Sequence, residues 1–165
     1  MQARQLTLAD VDAARALRLR GLQEHPRDFG AAYEDEAALS REEWARNFQA
    51  VEWYGVERDG ALVACAILRI PAMMKLKHNG WIHGMYVAPE ARGTAAGGLL
   101  IAAIEARARA AGLGVLKLLA TSQNARAVRF YEKCGFAAYG LEPDSHRVDG
   151  VSYDSLEMMK RLNPA

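Results

Sequence analysis

The stretch Met85-Tyr-Val-Ala-Pro-Glu-Ala-Arg-Gly-Thr-Ala-Ala-Gly-Gly-Leu-Leu100 decides how the chain is read. The residues that feed it, Trp81 to Val87, are apolar and stop at Pro89, the pattern of a buried strand. From about Ala96 a run of helix formers continues to Ala111, and the loop between carries Arg92, Gly93 and Gly97. A helix opening from a strand in this way leaves its first backbone N–H groups unpaired, and the aligned peptide dipoles add partial positive charge there. Such a loop can hold an anion, usually a phosphate. Glycines at a strand–helix junction also serve simply to turn the chain, so the loop alone leaves both readings open.

Outward from that stretch the periodicity sets the remaining elements. On the predicted helix, Leu100, Ile104, Ala108 and Ala111 share a face, Glu105 and Arg109 stand i,i+4 on another, and Gly112 suits the C′ position. Val115 to Leu119 is a short apolar strand. Asn124 is placed to cap a helix through Lys133, which Gly135 ends and Phe136 packs back upon. Ala137 to Leu141 and Val151 to Met159 are the last strands, with a polar loop, Glu142 to Gly150, between them. Upstream, Arg4 to Leu8 alternates as a first strand, Asp10 can cap a helix to about Gln23, and His25-Pro26 stops it. Arg27 to Glu36 has turn character. Ser40-Arg-Glu-Glu43 has capping-box spacing, so a second helix runs to about Gln49. Trp53 to Glu57 and Ala61 to Ile70 form a hairpin around Asp59-Gly60, and Pro71 to Asn79 is a loop with exposed Met73 and Met74. The order is strand, two helices, three strands, helix, strand, helix, two strands. It predicts a mixed α/β domain with one mostly antiparallel sheet and helices on both faces.

Composition sets bounds on partners. The 165 residues suffice for one domain, residues 1–165, with a core of its own. A net charge of +1 gives no bulk attraction to nucleic acid or anionic membrane. Cys65 and Cys134 sit in apolar surroundings without metal-ligand spacing, so free buried thiols and a reducing compartment are expected. The N-terminus lacks an apolar h-region and no run reaches the length of a membrane span, which makes the cytoplasm the default location.

Two blocks carry a family resemblance. Val87-Ala-Pro-Glu-Ala-Arg92-Gly-Thr-Ala-Ala-Gly97-Gly-Leu-Leu100 resembles motif A of the GCN5-related N-acetyltransferases, Val-x-Pro-x-x-Arg-Gly-x-Gly-x-Gly/Ala-x-x-Leu. Asn124-Ala-Arg-Ala-Val-Arg-Phe130-Tyr131-Glu-Lys-Cys-Gly135-Phe136 is similar to motif B, and Val151 to Met158 to the closing strand of many members. The pattern Pro26-x-x-Phe29-Gly30 through Tyr33-x-x-Glu36 is similar to a subgroup of small bacterial-type members. The resemblance implies the acyl-CoA N-acyltransferase fold, acetyl-CoA as co-substrate with no metal, and acetyl transfer to a small-molecule or peptide amine. No nucleic acid or membrane partner is implied, and a homodimer stays open.

What the resemblance implies for residues is specific. Backbone N–H groups of Arg92, Gly93, Thr94, Ala95, Ala96, Gly97 and Gly98 would hold the pyrophosphate. The pantetheine arm would lie along Met85, Tyr86 and Val87, with the Asn124 amide offered to it. Tyr131 stands where the family places its general acid. One position departs: Ala95 replaces the second glycine of motif A. If that residue needs φ > 0, or a phosphate within contact distance, its methyl would intrude; at φ > 0 the cost would be about 1–2 kcal/mol, weakening CoA about tenfold.

The acceptor amine must lose a proton to attack. At a lysine-like pKa of about 10.4, roughly one amine in 10³ is neutral at pH 7. Glu36, His83 and Asp154 are the candidate bases, His83 because it lies two residues before Met85 on the same predicted strand face. The acceptor site is expected from Phe29–Glu36, the 71–79 loop and the 142–150 loop. Arg126 and Arg129 either reach the nucleotide phosphates or stay on an exposed helical face. Two other classes compete: a non-catalytic acyl-CoA-binding sensor or interaction module, and nucleic-acid binding through Lys75, Lys77 and the arginines of 126–129, which the near-neutral charge argues against.

Overall fold

Two tight turns show how local chemistry builds the sheet. Asp59 and Gly60 have φ of 54° and 81°, and Asp149 and Gly150 have 52° and 78°, the paired left-handed residues of a two-residue hairpin. They join β2 (Glu52–Arg58) to β3 (Ala61–Arg69) and β6 (Ala137–Val148) to β7 (Val151–Arg161). With β1 (Gln2–Gln5), β4 (Asn79–Val87) and β5 (Val115–Thr121), they form one sheet in the order β1-β2-β3-β4-β5-β7-β6. Only β4 and β5 run parallel. The computed structural model describes residues 1–162.

Helices α1 (Val11–Glu24), α2 (Tyr33–Ala37) and α3 (Arg41–Gln49) precede β2; α4 (Ala96–Ala110) follows β4, and α5 (Ala125–Lys133) follows β5. Each face of the sheet has its own core. Leu100, Ile104 and Ala108 of α4 pack with Val56, Ala64, Leu68, Ile82 and Leu118, with Val128 and Phe130 of α5 beside them. On the other face Val11, Ala14 and Leu17 of α1 and Trp44 and Phe48 of α3 pack on Trp53, Cys65 and Tyr86. Phe48 stacks on Trp53 with centroids 5.3 Å apart, and burying one such ring contributes about 2–3 kcal/mol. This is the mixed, largely antiparallel architecture with helices on both faces that the sequence predicts.

Several local expectations are refined. The capping box at Ser40 is present, Ser40 Oγ accepting from the Glu43 amide at 3.2 Å. β1 ends at Gln5 rather than Leu8: the Leu6 amide makes a last bond to the Trp53 carbonyl at 2.8 Å, and a 3-10 turn begins at Leu8. Asp10 caps the turn before the helix instead of α1 itself: its carboxylate accepts from the Thr7 amide at 2.7 Å and from the Arg4 guanidinium. Tyr33–Ala37 is a short helix where turn was expected, with Glu34, Asp35 and Glu36 in its first turn opposing the dipole. Ala111 is exposed, a C-cap residue beyond the buried face. Most of the expected 142–150 loop is strand. Its residues are largely exposed, so no apolar alternation marks them, and a register shift with Asp144 at φ 52° breaks the pattern further.

Candidate active site

The site begins where two strands part. β4 and β5 pair only from Asn79 with Val115 to Ile82 with Leu118. Beyond Ile82 the β3–β4 register shifts between Cys65 and Ile67, and Gly84 takes φ 57°. A bulge bends a strand and adds one residue to its count, so β4 leaves β5 and its side-chain alternation is reset. Ile82 and Met85 therefore both join the α4-side core, while Tyr86 packs against Gly21 of α1. The shared face expected for His83 and Met85 is thus wrong. His83 stands on the α1 side, stacked on Trp81 at 6.3 Å. The gap opens into a cleft of about 700 Å³.

One wall is mostly backbone. Pro89–Ala91 forms a 3-10 turn, Gly93 has φ 76°, and Thr94 Oγ1 donates to the Ala91 carbonyl at 2.6 Å while accepting from the Ala96 amide at 3.3 Å. The amides of Gly93, Ala95, Gly97 and Gly98 find no acceptor among the described residues. Ala95 sits at φ −70°, ψ −8°, ordinary right-handed backbone, so its methyl group carries no backbone strain. A Cβ on Gly97 would lie 3.1 Å from the Phe130 ring, tighter than an ordinary contact, so the glycine lets α4 and α5 approach closely. Arg92 does not dangle in solvent. Its Nε donates to the Val87 carbonyl at 3.0 Å and its Nη2 to His25 Nε2 at 2.7 Å, fastening the loop to the end of α1. Tyr86 strengthens that joint, donating to Glu24 at 2.6 Å, and this bond with the Arg20 guanidinium holds the Glu24 carboxyl below its usual range.

Helix α5 supplies the second wall. Asn124 Oδ1 accepts from the Ala127 amide at 3.0 Å, capping the helix and leaving Nδ2 free to donate toward the cleft that the residue lines. Tyr131 also lines the cleft, in edge contact with Phe130 and Phe136. Burial raises its pKa well above the usual phenol value, so the hydroxyl stays a donor throughout the neutral range. Arg126 reaches the cleft, and Arg129 does not line it.

The three candidate bases separate. His83 lines the cleft, and partial burial, with Arg69 and Arg18 nearby, holds its imidazole below the usual value and therefore neutral at pH 7. Glu36 accepts from Arg18 Nε and Nη2 at 3.1 and 2.8 Å and does not line the cleft. Asp154 Oδ1 accepts from the Asp144 amide at 2.9 Å and holds the β6 register shift, also outside the lining. Of the expected acceptor segments, Phe29, Gly30 and Ala31 line the cleft; the 142–150 segment does not, although His146 bonds the carbonyl of Arg27, just before Phe29, at 2.9 Å. The 71–79 loop instead lies at the far end of β4, where His78 and Asn79 border a second, smaller cavity.

Sequence reasoning missed Gly84, Arg18 and His25. A glycine inside a strand pattern is a signal for a bulge, and Arg18 interrupts the Val11, Ala14, Leu17, Leu22 face of α1. His25 carried no such mark. Among the described residues no group of three or more His, Cys, Asp or Glu is placed to hold a metal ion, and no helix is long and apolar enough to cross a membrane.

Comparisons with known proteins agree with this architecture. The mycothiol acetyltransferase of Thermobispora bispora is 30% identical over 135 residues, 81% of this chain. The chain spans 45% of the length of that curated relative. Among solved structures, a GNAT-family acetyltransferase from Streptococcus pneumoniae superposes with a TM-score of 0.84 at 20% identity, covering 98% of both chains. A putative acetyltransferase from Salmonella typhimurium, solved with its cofactor acetyl-CoA, gives 0.84 at 19% identity over 100% of this chain and 95% of its own. A ribosomal-protein-alanine N-acetyltransferase from Brucella melitensis gives 0.80 at 25% identity, covering 98% of this chain and 100% of its own. The model of the acetyltransferase (GNAT) family matches residues 19–136, and the chain belongs to that family.

Proposed function

We propose that residues 1–165 form one GNAT domain that moves an acetyl group from acetyl-CoA to a primary amine by direct attack of the amine on the thioester. The observation that carries this reading is the parting of β4 from β5 beside four amides, those of Gly93, Ala95, Gly97 and Gly98, that lack acceptors. These N–H groups, with the dipole of α4 behind them, suit a diphosphate. The unpaired edge of β4 at Met85 to Val87 and the free Nδ2 of Asn124 suit an amide-bearing arm. Acetyl-CoA supplies the activated acyl group when bound.

The chain's own residues divide the proton work. His83, neutral and on the α1 side of β4, takes a proton from the incoming ammonium, directly or through water. Neutralising a lysine-like amine at pH 7 costs about 4–5 kcal/mol, so a base in place matters. The amine nitrogen bonds to the acyl carbon, the carbon–sulfur bond breaks, the Tyr131 hydroxyl protonates the leaving sulfur, and the second proton shed by the nitrogen as it becomes an amide restores the phenol. The relatives' names point to different acceptors and choose none for this chain. The free thiols of Cys65 and Cys134 support a reducing, cytoplasm-like compartment.

The test is thiol release on mixing the protein with acetyl-CoA and a broad amine panel. Release that depends on the amine is expected. Saturable acetyl-CoA binding with no release across the panel would favour the sensor instead.

A further inference from the structure

Helix α1 lays Val11, Ala14, Leu17, Gly21 and Leu22 against the sheet, and one charged residue is buried with them: Arg18, 6% exposed. Its Nε and Nη2 are met by Glu36, at 3.1 and 2.8 Å. Its Nη1 is buried and has no hydrogen-bond partner among the described residues. A guanidinium only donates, and a buried donor left unmet is costly. This one is aimed at the cleft, which Arg18 lines: Nη1 lies 3.1 Å from where a Cβ of Gly84 would stand, and the glycine of the bulge leaves that approach open. The Phe29 ring backs the guanidinium, 4.9 Å from Cζ.

The side of the sheet identifies what Nη1 meets. The unpaired amides, α4 and α5 belong to one face, where the pantetheine arm would enter. Arg18 comes from α1 on the other, with His83. A group reaching Nη1 therefore belongs to the acceptor. The charges around it point the same way. Glu36 is already paired to Arg18, Asp28 faces His25 Nδ1 at 3.5 Å, and Arg69 and Arg18 both bear on His83. The carboxylate lining this side of the cleft is Asp28, beside His25, and Arg18 Nη1 is the cationic donor left open to an oxygen anion.

We propose that Arg18 Nη1 receives the carboxylate of an amino-acid-like acceptor and so holds its amine beside His83 and the thioester. The inference rests on the acetyl-transfer reading. Arg18 acts in specificity, and the pair with Glu36 fixes its direction.

The experiment measures thiol release from acetyl-CoA by the whole chain with the common amino acids, their carboxamides and their decarboxylated amines. For the preferred side chain the carboxylate form is expected to exceed both others in kcat/KM by about 10–10²-fold, the range of a hydrogen bond to a charged group. Arg18→Gln should bring the three forms together while KM for acetyl-CoA stays the same. Should that variant unfold because Glu36 is left unpaired, the Arg18→Gln/Glu36→Gln double variant removes both charges and makes the same test. Equal or faster turnover of the decarboxylated amines or of polyamines by the unaltered protein overturns the proposal. So does equal use of the carboxamides, which would indicate a peptide carbonyl in place of a carboxylate. Absence of both acetyl-CoA binding and thiol release would remove the acetyl-transfer reading, and this inference with it.

Discussion

The two sides of the cleft are built from different materials. On the α4 side the donors are backbone amides, set by the turn at Pro89–Ala91 and the φ of Gly93, and contiguous in sequence. On the α1 side the groups are side chains, Arg18, His25, Phe29 and His83, drawn from α1, the segment after it and β4. A backbone site is insensitive to which side chains it carries, whereas the side-chain site changes with each of them.

Breaking the chemistry between the two sides should give the largest effect. Tyr131→Phe removes the phenol without removing the ring, and kcat should fall by roughly 10²–10⁴ with acetyl-CoA binding unchanged. Steady-state kinetics with saturating amine checks it; unchanged kcat would place the acid elsewhere. Next comes the loop. Gly93→Ala forces a side chain into φ 76° and should cost about 1–2 kcal/mol, or roughly tenfold in acetyl-CoA affinity. Ala95→Gly, at φ −70°, should leave that affinity within about twofold, since no strain is relieved. The reverse ranking would mean that the loop refolds when it binds.

Smaller effects follow. Asn124→Ala removes the bond to the Ala127 amide and should lower stability to denaturant by about 1 kcal/mol, with a further rise in KM for acetyl-CoA if Nδ2 meets the arm. The acid dependence comes last. Glu24, through its bond from Tyr86, and Glu90, brought to about 2 through its bonds from Arg20, are depressed in the folded chain. The unfolded chain binds more protons as the pH falls below the ordinary carboxylate value, so the stability these groups add is present above about pH 4–5 and lost below it. Because both sit near the surface the slope should be shallow and salt-sensitive, which denaturation between pH 6 and 2 would measure.

The legibility of the sequence divides along the same line. The element order apart from α2, the Ser40 box, the Asn124 cap and the loop before α4 depend on neighbours in sequence, so spacing alone reveals them. The reset at Gly84 depends on how β3 and β4 pair, and it reversed the face assigned to His83. Glu36 and Asp154 read as free acids until the fold supplied Arg18 and the Asp144 amide. The distal part of β6, from Glu142, read as loop because its exposed residues carry no alternation. Arg18 was visible as a charge on an apolar helix face, but its free nitrogen and its outlook on the cleft belong to the tertiary structure alone.

Four donors near the start of α4 are what would hold the diphosphate. The direct measurement is an amide-resolved NMR titration of the protein with CoA. The resonances of Gly93, Ala95, Gly97 and Gly98 should show the largest saturable shifts, with smaller ones along Met85 to Val87. Saturation with those four amides unmoved, or no response at millimolar CoA, would contradict that role.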